Sequence, residues 1–182
     1  MYVCPWWLAY TFDNRLRRLF HKPEEILAPY VKPGMTVMDI GCGMGFFSIG
    51  MAKLVGPAGA VLAVDLQQKM LDVLMKRAAR AGMAERIRPH RCAADRLDIN
   101  TPVDFVLACY MLHEVRDAHR LLEEVHACLK PGARLLVVEP KIHVSRRDFL
   151  RGVERAEAVG FRIVDKPAIR ISHSILFAIQ GR

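Results

Sequence analysis

Val37-Met38-Asp39-Ile40-Gly41-Cys42-Gly43-Met44-Gly45-Phe46-Phe47 decides the fold of this chain. An apolar, β-prone run carries an acid near its end and passes through three alternate glycines into a second apolar run. That order reads as strand, tight turn and helix. Glycine allows the turn without a Cβ penalty and lets a ligand touch the backbone. The helix that follows points free N–H groups at any negatively charged ligand group.

Downstream, the same alternation repeats. Apolar runs at residues 35–40, 60–64, 86–91, 103–109 and 134–139 have the Val and Leu content of parallel strands covered on both faces. Helical stripes lie between them. Met70, Leu74, Ala78 and Ala81 recur at spacings of four, four and three before Gly82. Ala118, Leu121, Leu122, Val125 and Leu129 keep the same period before Lys130-Pro131-Gly132. Ser145 and Asp148 give a start signal for a helix that Gly160 ends.

Residues 161–164 then read as a strand, and Ile169, Ile171, His173, Ile175, Phe177 and Ile179 alternate as a last, long one. The link between the two is so short that they must pair antiparallel. The expected fold is α/β: a doubly wound, mostly parallel seven-stranded sheet with an antiparallel C-terminal strand and helices on both faces. It is expected to form one domain over residues 1–182, with the core in 33–182. Leu16, Leu19 and Phe20 share a stripe and Pro23 suits a first helical position, so residues 1–32 are expected to supply helices that cover the cleft.

At 182 residues, 52% hydrophobic and 25% charged, the chain has an ordinary globular make-up and can bury roughly 70% of its unfolded surface. Met1-Tyr2-Val3-Cys4-Pro5-Trp6-Trp7 lacks the pattern of a signal peptide, and no apolar run reaches the ~18 residues of a membrane span. A cytoplasmic location is expected. Five cysteines, at 4, 42, 92, 109 and 128, include no C-x-x-C pair, so reduced thiols are expected and no metal site. The net charge of +8 admits an anionic partner such as nucleic acid. No aromatic-interleaved basic segment appears, which makes nucleic acid the less favoured partner.

Three further signals accompany the glycine loop: Gly56-Pro57-Ala58-Gly59 leading to Asp65, Val103-Asp104-Phe105-Val106, and Leu129-Lys130-Pro131-Gly132. Taken together, residues 33–140 resemble the class I S-adenosylmethionine-dependent methyltransferases, especially the small-molecule branch of the ubiquinone/menaquinone-biosynthesis type. The resemblance implies methyl transfer from S-adenosylmethionine to a small-molecule acceptor by in-line displacement, with S-adenosylhomocysteine as product. It also implies that Gly41, Cys42 and Gly43 line the methionine part of the cofactor, in the bend that Gly45 completes, with Asp39 nearby. Asp65, the acid closing the second strand, would hold the ribose hydroxyls. Leu66 would pack on the adenine, Ala93, Ala94 and Asp95 would border its edge, and Cys109 would end the fourth strand beside the cofactor. Many relatives carry an Asp where this chain has Ala93, which leaves Asp95 as the carboxylate of that stretch.

A nicotinamide enzyme is the rival reading of a glycine bend with a downstream acid. Its fingerprint is G-x-G-x-x-G, whereas this loop reads G-x-G-x-G, and Asp39 would crowd a pyrophosphate with negative charge. An acid suits a sulfonium and an ammonium group better.

In such a sheet the site lies beyond the carboxyl ends of the strands, which selects the loops after the fourth and fifth. His113 is the first candidate for a general base, by proton affinity and position. The competing role for it is to cap the next helix or merely contact its neighbours. His143 and Lys141 follow the fifth strand, where either could orient an anionic acceptor or move a proton. Trp6, Trp7 and Tyr10 could roof the acceptor pocket. Two other classes stay open: an RNA or protein methyltransferase, and a non-catalytic S-adenosylmethionine binder.

Overall fold

Alternate residues of the central strands face two different layers of helices, which is why those strands read as unbroken apolar runs. The computed structural model of the protein describes residues 21–94 and 96–179. The stripe through Leu16, Leu19 and Phe20, the aromatic Trp6, Trp7 and Tyr10, and Asp95 lie outside them.

The strands are β1 (Thr36–Ile40), β2 (Ala60–Asp65), β3 (Ile87–Arg91), β4 (Val103–Cys109), β5 (Leu129–Pro140), β6 (Phe161–Asp165) and β7 (Ser172–Ile179). They form one sheet of order β3-β2-β1-β4-β5-β7-β6. Neighbours from β3 to β5 pair parallel, and β7 runs antiparallel to both β5 and β6. The helices are α1 (Pro23–Leu27), α2 (Phe46–Val55), α3 (Gln68–Arg80), α4 (Ala118–Cys128) and α5 (Arg146–Val159).

On one face Met38, Ile40, Val64, Val106, Leu135 and Val137 pack against Leu122 and Val125 of α4 and Phe149 and Val153 of α5. On the other, Val37, Val61, Ala63, Phe105, Leu107 and Leu136 meet Leu27 of α1, Met51 and Val55 of α2, and Leu71 and Leu74 of α3. Met51 and Leu74 are wholly buried, and each such side chain contributes roughly 2 kcal/mol. Helix starts follow their sequence signals. Pro23 opens α1, the Asp117 side chain accepts from the Arg120 amide at the head of α4, and Ser145 accepts from the Asp148 amide at the head of α5. A side-chain cap contributes about 1 kcal/mol.

Three expectations change. The third strand is not covered on both faces: β3 is an edge strand that pairs only with β2, and Arg88 and Pro89 are exposed. Proline is tolerated there because an edge needs no second ladder. The fifth strand starts earlier than residue 134, since Leu129 already pairs with Val103 before the Pro131-Gly132 turn resets the register to Phe105 and Arg134. The last strand starts later than residue 169. Its pairing with β5 ends at Pro140, opposite Ser172, and one more bond, from the Lys141 amide to the Ile171 carbonyl at 3.0 Å, closes it off. Residues 169–171 turn instead, with Ile171 at φ 54° and the Ser172 amide donating to the Ile169 carbonyl.

Strand order reverses at β1, which lies between β2 and β4. The crevice beyond the carboxyl ends of β1 and β4 is therefore the switch point where such sheets bind ligands. No helix among the described residues is long and apolar enough to cross a membrane.

Candidate functional site

The three loop glycines serve different ends. Gly41 has φ 67°, and a Cβ there would stand 2.7 Å from Met111 Cβ, so the bend after β1 packs directly on the segment after β4. Gly45, at φ 86°, heads α2, where a Cβ would stand 2.7 Å from Leu74 Cγ. Gly43 differs: its φ is 53°, yet no atom of the described residues lies within 4 Å of the place a Cβ would occupy. Packing demands glycine at 41 and 45, whereas the bare face of Gly43 opens onto the crevice.

Both acids flank this bend. Asp65 Oδ2 accepts from the Gly43 amide at 2.9 Å and Oδ1 from the Gln67 amide at 2.8 Å. A carboxylate offers about four acceptor positions, and the Leu66 amide adds to those of Gly43 and Gln67, so one remains for a ligand. Burial raises the Asp65 pKa, and the amides of Gln67 and Gly43 pull it back. Asp39 is buried beneath the bend and accepts from Ser48 Oγ of α2 at 2.5 Å. Cys42 lies between the two acids: burial, then the charges of Asp39 and Asp65, push its thiol pKa well up. A thiol held protonated in this way packs rather than reacts.

Around the bend, Leu66 is half-buried after β2 and Cys109 is half-buried at the end of β4. The Cys92 amide donates to the Asp65 carbonyl, and burial pushes the Cys92 thiol up to about 11. Ala93 and Ala94 are exposed in the turn closed by the Ala93 amide on the Arg96 carbonyl. Among the described residues no group of three or more His, Cys, Asp or Glu could hold a metal ion.

Beyond β4 the chain reverses at Tyr110, a non-glycine residue at φ 61°. Such a conformation costs on the order of 1–3 kcal/mol and needs outside support. The Tyr110 amide donates to the Val138 carbonyl at 2.8 Å, and its hydroxyl bonds Ser172 Oγ at 2.7 Å. The next turn, Leu112–Glu114, presents His113 to the end of β5. There His113 Nδ1 lies 2.5 Å from Glu139 Oε2, and the His113 amide donates to Glu139 Oε1 at 3.2 Å. Burial pushes the His113 pKa down, but the Glu139 hydrogen bond and charge, with Glu114 behind them, outweigh it and leave it above the usual value.

His143 adds its ring at a 5.1 Å centroid distance from that of His113. Lys141 does not join them: it lines a shallow groove with Pro167, Ile169 and Ser174, whereas His113 and Glu139 line a cavity of about 180 Å³ between β5 and α5. Sequence reasoning missed Glu139 and Ser48. An acid closing the apolar run Leu135-Leu136-Val137-Val138 was the available signal for Glu139. Nothing in the sequence marked Ser48.

A family profile described as a methyltransferase domain matches residues 37–132. A demethylmenaquinone methyltransferase of Lactobacillus johnsonii is 34% identical over 70% of this chain and 50% of its own length. A ubiquinone/menaquinone biosynthesis C-methyltransferase of Haemophilus ducreyi is 32% identical over 60% of this chain and 42% of its own. The chain thus spans about half the length of these relatives or less. The crystal structure of a SAM-dependent methyltransferase from Aquifex aeolicus shares the fold, with a TM-score of 0.84 at 24% identity over 97% of this chain and 99% of that one. With the loop, the two acids and the strand order in place, the chain belongs to the methyltransferase-domain family.

Proposed function

We propose that the chain transfers a methyl group from S-adenosylmethionine to a small-molecule acceptor. The observation that carries this reading is the Asp65 carboxylate bonded to the Gly43 amide beside a bare glycine face at the switch point. That donor and acceptor set fits the group: the remaining carboxylate position suits a ribose hydroxyl, and buried negative charge on both sides of the bend suits a cation. When bound, S-adenosylmethionine supplies an electrophilic methyl on a sulfonium.

The residues then divide the work. Asp65 accepts a ribose hydroxyl; Gly41, Cys42 and Gly43 line the methionine part; and Gly45 starts the helix behind them. Asp39 holds the bend through Ser48 and adds negative potential. Leu66 packs on the adenine, Ala93, Ala94 and Asp95 border its edge, and Cys109 closes the floor. His113 takes the proton of the acceptor, His143 stands beside it, and Lys141 attracts anionic acceptors from the neighbouring groove. The chemical barrier falls chiefly because two bound reactants are held in line. The names of the relatives, a demethylmenaquinone methyltransferase and a ubiquinone/menaquinone biosynthesis C-methyltransferase, favour a quinone-class ring, which carries hydroxyls in its reduced form, as acceptor.

S-Adenosylhomocysteine release by the full chain, measured across phenols, reduced quinones, thiols and RNA, tests the proposal. Turnover with at least one small acceptor supports it. Release confined to RNA, or absent while the cofactor fails to bind, contradicts it.

A further inference from the structure

We infer that Glu139 is a positioning residue that keeps Nδ1 of His113 protonated and leaves Nε2 as the basic atom, so that the acceptor is a protic nucleophile. The inference rests on the methyltransferase reading for the identity of the reaction, and on geometry alone for the state of the ring.

Glu139 closes β5 after four buried apolar residues, Leu135 to Val138, and is itself only 3% exposed. A carboxylate in such a place needs partners. It takes two from one residue, the amide and Nδ1 of His113. The first bond fixes the Leu112–Glu114 turn and the second fixes the ring within it. An ionised carboxylate only accepts, so Nδ1 must carry the hydrogen, and the neutral ring then has its lone pair at Nε2.

Of the competing roles for His113, capping the next helix is already filled, and a plain contact with its neighbours would leave the kcat/KM profile unmoved in Glu139→Gln. Asp117 caps α4 by accepting from the Arg120 amide at 3.0 Å. His113 spends its Nδ1 on a buried acid in a different strand. Among the described residues, these other groups stand around the ring. Glu114 adds to the charge of Glu139, and the His143 ring is 5.1 Å away. Across the cavity stand Asp148, Arg151 and Arg155 of α5, of which Asp148 and Arg151 pair with each other at 3.2 Å in exposed positions. Solvent screens those three, whereas the buried Glu139 acts at contact distance.

The transfer balances on this arrangement. The methyl carbon leaves sulfur, whose bonding pair stays behind as the neutral thioether, and bonds to the electron pair that loss of the acceptor proton makes available, at the hydroxyl oxygen or, by delocalisation, at a ring carbon. The acceptor proton goes to Nε2, and the imidazolium so formed lies against the Glu139 carboxylate. A thioether or tertiary amine, with no proton to lose, has no use for such a pair; a ring hydroxyl does. The cavity beside the pair has room for a ring: its volume of about 180 Å³ exceeds the roughly 150 Å³ of an apolar cavity known to take benzene. Phe149, Phe177 and Val137 give it apolar walls.

Side-chain nitrogen NMR of the full chain tests the inference without any acceptor. In the unaltered protein His113 should show hydrogen on Nδ1 and a titration midpoint above the ordinary value of about 6.5. In Glu139→Gln that midpoint should fall, and Glu139→Asp should restore part of the difference. Once an acceptor is in hand, the acid limb of the kcat/KM profile should move down with the midpoint while kcat drops at least ~10-fold. Hydrogen on Nε2 in the unaltered protein, or an unmoved midpoint in Glu139→Gln, overturns the inference. Should Glu139→Gln not fold, the tautomer of the unaltered protein decides alone. Loss of the methyltransferase reading would show separately, as absent S-adenosylhomocysteine binding with the ring spectrum unchanged.

Discussion

The Gly43 amide donates to Asp65 Oδ2 at 2.9 Å, which ties the bend after β1 to the end of β2. One carboxylate thereby shapes the loop and presents its remaining lone pair to the crevice. Because burial raises its pKa, Asp65 takes up a proton at a higher pH than the ordinary value of about 3.9. A protonated acid accepts a ribose hydroxyl less well, so S-adenosylhomocysteine affinity should fall as pH drops from 7, with a midpoint above 3.9. Stability should move the other way. A raised carboxyl contributes most below its unfolded pKa and loses that contribution as pH rises through the folded one. Relative to Asp65→Asn, the unaltered protein should gain stability toward acid pH; calorimetric titration and melting curves across pH check both signs.

Ser48→Ala deprives the buried Asp39 of a 2.5 Å hydrogen bond. Hydrogen bonds to charged groups contribute about 1.5–3 kcal/mol, so the midpoint of thermal unfolding should fall by roughly 3–10 °C. An unchanged melting curve would show that Asp39 does not need Ser48.

Alanine at the two ends of the bend should have opposite signatures. At Gly43, where φ is 53° and the Cβ position is open, alanine costs about 1–2 kcal/mol of backbone strain and intrudes on the ligand side. The protein should fold and bind S-adenosylhomocysteine at least ~10-fold more weakly. Gly45→Ala drives a Cβ to 2.7 Å from the buried Leu74, and its dominant effect should be unfolding. Melting and binding measured side by side distinguish the two.

Much of this was readable from residues. Glycine spacing, closing acids and helical stripes each act within a dozen positions, and they fix the bend, Asp39, Asp65 and the ends of α3 and α5, whereas the stripe through Leu129 overshot α4, which ends at Cys128 because Leu129 pairs with Val103. What local pattern could not show depends on partners far along the chain. His113 and Glu139 are 26 residues apart and meet because β4 and β5 are neighbours. The alternation through Ile169 and Ile171 imitated a strand, but the ladder with β5 ends at Pro140 and Ser172, and the chain turns at Ile171, whose φ is 54°. Lys141 follows β5 as closely in sequence as His143 does, yet it lines a groove other than the cavity beside His113.

Gly152, within α5, is the one place where a methyl group should help. A Cβ there would meet only Leu112 Cδ2 at 4.0 Å. Replacing a helical glycine by alanine gains about 0.5–1 kcal/mol, so Gly152→Ala should raise the melting temperature by roughly 1–4 °C. A fall would mean that α5 needs the gap.

Calorimetric titration of the full chain with S-adenosylhomocysteine, beside the same titration of Asp65→Ala, meets the main proposal head-on. One site should be filled, NADH should leave it empty, and loss of the carboxylate should weaken binding by ~10- to 100-fold, as expected for one or more charge-assisted hydrogen bonds. A chain that takes up no S-adenosylhomocysteine, or that binds it equally well without the Asp65 carboxylate, would contradict the account.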